Sequence, residues 1–372
     1  MTTYADLEVR PVVNAAATLT KLGGSRMPPS VVQAMVGASG AFVDLLELQR
    51  RVGERLAQLT RNEACYVPSG AAAGVCLSVA ACIAGADPKR IGAFPYLDDM
   101  PREVIVFRGQ RNGYDYAARQ TGARLREIGP TVAELEGAFS ERTACVLFFA
   151  SARYAAAGLP LPRVVALAHA RQVPVLVDAA AQIPPISNLW HFTREQGADI
   201  AIFSGGKGLR GPQSSGLVLG RPDLIDACRA NGNPNSSIGR PMKVGKEELM
   251  GLLAAVEWSL AQDEPAVLAG YEASVQRWLR GLAGIPGVAA ERTFPSEAGQ
   301  PHGRAVVHVQ PPCPLTRDQV VDALWSRNPR IAVSTAGEDA IALNPQTLEP
   351  GEDEQVLSAL REVLVRERVA VR

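Results

Sequence analysis

Between residues 64 and 219 the chain alternates short apolar runs with segments of helical spacing, and this alternation constrains the fold more than any other feature. The runs are Ala64–Val67, Val104–Phe107, Ala144–Phe149, Val173–Val177, Asp199–Phe203 and Leu217–Leu219, with Arg124–Ile128 as a further strand. They are too short for helices and nearly free of polar alternation, as expected of strands covered on both faces. Helical patterns lie between them at Ser69–Ala84, Tyr114–Gly122, Thr131–Phe139 and Leu161–Arg171. Strands alternating with helices specify an α/β domain with a mainly parallel sheet.

The flanks suggest three parts. Residues 1–25 read as an N-terminal segment ending in Gly23-Gly24, and 26–258 as the large domain. Residues 259–372 read as a small C-terminal α/β domain, with strands at His302–Val309, Ile331–Val333 and Ala340–Leu343 and a last helix at Gly351–Val365. A long connecting helix is expected from about 245 to 280, with Leu249, Leu252, Leu253, Val256 and Leu260 on one face.

Composition narrows the function classes. Lys+Arg and Asp+Glu both number 38, so the net charge is zero and nothing suggests a nucleic-acid or anionic-membrane partner. Near-neutrality also permits self-association. Six scattered cysteines without a CxxC pair read as reduced thiols of a cytoplasmic protein. Four histidines in no ligand-like spacing argue against a metal site. The N-terminus lacks a secretion signal, and no apolar stretch is long enough to span a bilayer.

The chemistry concentrates in Ser204-Gly205-Gly206-Lys207-Gly208-Leu209-Arg210-Gly211-Pro212-Gln213. Lys207 sits in a glycine-rich turn after an apolar strand. It reads either as a solvated loop lysine or as a desolvated Schiff-base nucleophile approached by a planar group. Upstream, Ser69-Gly70-Ala71-Ala72-Ala73-Gly74 opens a helix after a strand. Small residues there serve tight packing or leave backbone N–H groups free to seat a phosphate. The strand Val173–Val177 ends in Asp178, at the edge where open α/β sheets bind ligands. That carboxylate either caps the next turn or holds a cationic ring nitrogen. Phosphate seat, aspartate and lysine, in this order, point together to pyridoxal phosphate (PLP).

The chain resembles the L-seryl-tRNA selenium transferase-like branch of fold-type I PLP enzymes, which includes D-glucosaminate-6-phosphate ammonia-lyase-like proteins. The resemblance runs along nearly the whole chain. It rests on Asn14–Thr20 with Leu22–Arg26, Pro68–Gly74, Arg108–Asp115, Asp178–Gln182, Ser204–Gln213, Gly239–Glu248 and Leu343–Leu348. It implies the fold-type I PLP-dependent transferase fold, Lys207 bonded to the cofactor and Asp178 at its pyridine nitrogen. It also implies Ser69, Gly70, Ala71 and Ala72 around the phosphate with help from Ser204, Gln182 at the phenolic oxygen, and a homodimer or larger homo-oligomer with shared active sites. Relatives commonly carry a histidine over the cofactor ring where this chain has Gln110, an amide that cannot act as acid or base near neutral pH.

These readings predict an enzyme acting at Cα and Cβ of a small amino acid or amino-sugar acid. Lys207 would be the Cα base, and a lyase of the ammonia-lyase or dehydratase type is favoured. Racemisation or epimerisation and β-substitution remain open, because all follow removal of the same proton. Selenium transfer to seryl-tRNA would need a basic surface, and a non-catalytic PLP-binding regulator would not need Lys207 with Asp178. Tyr114 and Asp115 read as backup bases or as helix caps. Arg26, Arg210 and Arg240, with Lys243, are the cationic candidates for a substrate carboxylate or phosphate.

Overall fold

A computed structural model describes residues 2–366. Its strands in chain order are β1 (Val12–Ala15), β2 (Ala64–Tyr66), β3 (Glu103–Phe107), β4 (Arg124–Ile128), β5 (Thr143–Phe149) and β6 (Val175–Asp178). They continue with β7 (Ile200–Ser204), β8 (Gly216–Gly220), β9 (Val288–Thr293), β10 (Arg304–Val309), β11 (Arg330–Ala336) and β12 (Ala340–Leu343). The described residues form two units, one of residues 25–262 with 298–300, the other of 2–24, 263–297 and 301–366.

The larger unit is built on a seven-stranded sheet of order β2-β8-β7-β6-β5-β3-β4. The pairs β3–β4, β3–β5, β5–β6 and β6–β7 are parallel, and β8 runs against both of its neighbours, β7 and β2. The continuous apolar runs bury both faces. Ile105, Val146, Val175, Val177, Ala201 and Phe203 enter one core. Their neighbours Val104, Val106, Leu147, Leu176, Ile200 and Ile202 enter the other.

Helix α1 spans Pro29–Ser39, α2 spans Leu45–Leu59 and α3 spans Ala71–Ala84. Asp44 caps α2 by accepting from Glu47 N. Its Val52 and Leu56 join the first core with Leu249, Leu252 and Val256 of the helix Lys246–Leu260. Helix α3 lies on the second face. A Cβ on its Gly74 would stand 2.8 Å from Ile202 Cγ2, so glycine permits the close helix–sheet approach.

The smaller unit holds a five-stranded sheet of order β1-β11-β12-β10-β9, parallel between β1 and β11 and antiparallel elsewhere. Trp278 is fully buried in its core and donates Nε1–H to Asp353 O at 2.9 Å.

Three sequence expectations change. The N-terminal segment is not separate, because Val12–Ala15 pairs with Arg330–Val333. The long connecting helix is two helices, Lys246–Leu260 and Glu264–Leu282, and the boundary between the units falls at 262. Asp263 starts the second helix by accepting from Ala266 N at 3.1 Å, with Pro265 in its first turn. The helix expected at Tyr114–Gly122 shortens to Tyr116–Arg119 after a 3-10 turn at Gly113–Asp115. Among the described residues, no helix is long and apolar enough to cross a membrane.

Candidate active site

Strand β7 delivers the chain into the lysine loop, which its own backbone braces. Gly205 N donates to Ser215 O at 2.9 Å, Gly211 N to Gly205 O at 2.8 Å and Arg210 N to Lys207 O at 3.0 Å. Ser25 Oγ donates to Lys207 O at 2.7 Å, and Ser259 Oγ to Leu209 O at 3.2 Å. The glycines serve this packing. A Cβ on Gly206 would lie 2.5 Å from Gln213 Cα, and one on Gly208 would lie 2.2 Å from Ile183 O. Protein backbone crowds the loop at these glycines, a constraint that adds to any need for the close approach of a planar ligand.

Asp178 ends β6, beside β7 in the sheet, so the parallel pairing brings its carboxylate and the lysine loop to the same C-terminal edge. It is 9% exposed, and its Oδ1 accepts from Ala180 N at 3.0 Å. Burial raises its pKa above the ordinary carboxylate value, opposed by the Ala180 N–H and by Lys207. Burial lowers the Lys207 pKa, opposed by Asp178. Each group is the charge that favours the other's ionised form. Tyr114 places its ring centroid 5.9 Å from Lys207 Nζ.

At the same edge, β2 runs through Val67-Pro68-Ser69 into α3. Gly70 takes φ +128° and has no atom within 4 Å of a would-be Cβ. The first intrahelical donor is Gly74 N, bonded to Gly70 O at 3.0 Å, so the preceding N–H groups of the first turn have no partner within α3. Gly216 of β8 packs beneath them, where a Cβ would stand 2.9 Å from Gly70 C. Open space, free donors and the positive end of a long helix make a seat for a phosphate.

Residues 110–234 match the family model described as aminotransferase class-V. The chain is 34% identical to a Streptomyces 5'-C-glycyluridine monooxygenase-decarboxylase, over 97% of this chain and 92% of that protein. It is 33% identical to the D-glucosaminate-6-phosphate ammonia lyase of Salmonella typhimurium, over 97% of both. A solved D-glucosaminate-6-phosphate ammonia-lyase structure covers 100% of both chains at TM-score 0.85 and 32% identity. The chain belongs to the D-glucosaminate-6-phosphate ammonia-lyase-like family of fold-type I PLP enzymes. Its cofactor is pyridoxal phosphate.

The residues present fit that cofactor. A PLP molecule needs a phosphate seat, an anion for its ring nitrogen and an amine for its aldehyde. The open Gly70 turn, buried Asp178 and the desolvated amine of Lys207 supply these chemistries at one sheet edge. Ser69, Gly70 and Ala71 are partly buried, Ala72 is exposed, and Ser204 pairs with Gly216 beside the seat.

The two glutamines anticipated in this PLP-enzyme site are tied to backbone. Gln110 is 1% exposed; its Oε1 accepts from Phe149 N at 3.1 Å, and its Nε2 has no partner. Gln182 donates Nε2–H to Ala298 O at 2.8 Å. Asp115 is buried between Arg111, at 2.5 Å, and Arg119, at 3.3 Å, so it is an ion-pair anchor rather than a free base.

The arginines divide. Arg210, at φ +55°, donates Nε–H to Arg26 O at 2.8 Å and lays its guanidinium over Trp258. Arg26, Arg240 and Lys243 are exposed. Arg240 lines a cavity of about 550 Å³ with Ile91, Phe94, Gln120 and Ser236. Neither Lys207 nor Asp178 lines that cavity, so it is distinct from the lysine–aspartate edge. The sequence reading missed Ser25 and Ser259 as braces of the lysine loop. Both pairings are long-range, and a lone serine carries no local signal for them.

Proposed function

We propose that this chain is a PLP-dependent lyase acting at Cα and Cβ of a small amino acid or amino-sugar acid. The observation that carries the reading is the placement of Asp178 at the end of β6 and of Lys207 in the loop after the adjacent parallel strand β7, in a chain similar end to end to an ammonia lyase. The cofactor supplies a sink for the electrons left at Cα. Lys207 would anchor the cofactor and, when its amine is free, would take the Cα proton at Nζ. Burial favours its neutral form, the form a base requires. Asp178 opposes the ring nitrogen's positive charge, which offsets the cost of its own buried charge. Backbone N–H groups at Ser69, Gly70, Ala71 and Ala72, with Ser204, would hold the phosphate, and Gln182 would supply an amide for the phenolic oxygen. Arg26, next to the Ser25 that braces the lysine loop, would hold the substrate anion while Arg210 braces Arg26; Arg240 belongs to the separate cavity.

We assign a homodimer. Val32, Val36, Phe42, Val43 and Leu46 are exposed along α1, α2 and their junction, with Phe42 at 104%. Such a row of large apolar side chains fits a subunit interface. The six free cysteines fit a reducing, cytoplasmic setting.

The test is reconstitution with PLP followed by an amino-acid panel that includes D-glucosaminate-6-phosphate. The visible absorbance of a protonated Schiff base should form and vanish in Lys207→Ala. Release of ammonia and a keto acid without oxygen supports the lyase; turnover with neither product overturns it. A second reading, oxygen-dependent decarboxylation, is favoured by the equally strong likeness to the monooxygenase-decarboxylase. It requires oxygen uptake with release of carbon dioxide.

A further inference from the structure

Tyr114 is held toward Lys207 by a polar network centred on the buried Asp115. Its backbone N donates to Asn112 Oδ1 at 2.8 Å. The next residue, Asp115, is clamped by Arg111 and Arg119, and Arg111 also pairs with Glu127 of β4. The tyrosine itself is 67% exposed, so the framework does not bury its ring. It sets the ring centroid 5.9 Å from Lys207 Nζ, within the range of a cation–π contact.

The proposed reaction, on which this inference rests, gives Lys207 two states. Bonded to the cofactor aldehyde, Nζ is part of the anchor. Detached, its lone pair would take the Cα proton, the C–H pair staying at Cα for the cofactor to delocalise, and Nζ would become an ammonium where burial disfavours charge. Asp178 would be the group that answers the cofactor's ring nitrogen. We propose that Tyr114 is a positioning residue for Lys207, its ring face holding the detached, protonated amine.

The charges around Lys207 leave this role to the ring. From β6, Asp178 is the group acting on the amine. On the lysine's own loop, Arg210 turns to Trp258 and the Arg26 carbonyl. On the tyrosine's segment, Asp115 is neutralised by two arginines.

The test measures capture of PLP by the cofactor-free protein, as a rate against pH, in wild type, Tyr114→Phe and Tyr114→Leu. Only the neutral amine attacks the aldehyde, so the midpoint reports the ammonium's stability. Tyr114→Leu should lower that midpoint by about 0.5 pH unit and speed capture at pH 7 roughly threefold. Tyr114→Phe keeps the ring and should follow wild type. Slower capture by Tyr114→Leu at every pH with an unmoved midpoint would mark a merely structural residue and overturn the inference. Equal shifts in both variants would assign the effect to the hydroxyl and also overturn it. Wild-type protein that captures no cofactor at any pH would overturn the functional reading as well, whereas capture with three coincident midpoints overturns this inference alone.

Discussion

Ser25 gives its hydroxyl to Lys207 O at 2.7 Å and its backbone N–H to Gly206 O at 3.1 Å, tying a residue near the start of the chain to the lysine loop. The hydroxyl bond fixes the carbonyl next to the reactive side chain. Ser25→Ala should therefore loosen the loop, at a cost of about 1 kcal/mol. PLP retention through dialysis should fall roughly fivefold, the equivalent of that energy, while Ser25→Thr keeps the donor and most of the retention. Wild-type retention in Ser25→Ala would remove the serine from the account.

The glycines of the loop predict a second contrast. Gly206→Ala and Gly208→Ala would drive a Cβ into Gln213 Cα and Ile183 O. Backbone cannot rotate away as a side chain can, so each should destabilise by about 1–3 kcal/mol and displace Lys207. Gly37, within α1, has no atom within 4 Å of a would-be Cβ. Gly37→Ala should stabilise by about 0.5–1 kcal/mol. Thermal melts of the three variants check the ordering.

Asp178 predicts a pH dependence in the cofactor-free protein. Its folded pKa is raised, so the folded state binds the extra proton more tightly than the unfolded state. The stability this gives is full below the ordinary value of 3.8 and is lost as pH rises through the raised value. Lys207 has a lowered folded pKa, so its contribution increases with pH between that value and the ordinary 10.5. Asp178→Asn imitates the protonated acid. It should flatten the acidic limb and raise the cofactor-free melting temperature at pH 7 by roughly 2 °C. Loaded with PLP, the same variant should bind cofactor at least about tenfold more weakly, because the ring nitrogen loses its anion. Parallel pH–melting curves for the variant and wild type would sink this account.

Much of the fold was legible because the strands from β2 to β8, the edge strand β4 apart, are nearly unbroken apolar runs, as a sheet covered on both faces requires. The same logic brought Asp178 and Lys207 to one edge. Strand β1 escaped notice because Val12–Ala15 is short and its partner, β11, lies more than 300 residues away. The break at 261–263 was written in Asp263 and Pro265, a cap and a first-turn proline, but the apolar face on either side masked it. The glycines of the lysine loop were noticed at the right position, but a second reason for them, close packing of the protein's own backbone, was not visible. Their crowding by Ile183 and Gln213 depends on tertiary packing that no local motif carries.

Gln110 carries the last prediction. Its Oε1 is engaged by Phe149 N, the residue paired with Asp178 across β5 and β6, and this fixes which end of the amide is left over. The unpartnered end is a donor that cannot take up a proton. Gln110→Met removes that orphan but also strips the Phe149 N–H of its acceptor, so its stability should change by less than about 1.5 kcal/mol. Gln110→Glu keeps the acceptor and buries a charge without a counter-ion. It should destabilise by about 2 kcal/mol or more, with the loss growing as pH rises and the carboxylate ionises. Gln110→His adds a group that titrates near neutral pH. The rate profile of that variant should therefore gain an inflection near pH 6.5 that wild type lacks. If the histidine variant instead reproduces the wild-type profile, position 110 does not communicate with the reacting atoms, and its amide serves the fold through Phe149 alone.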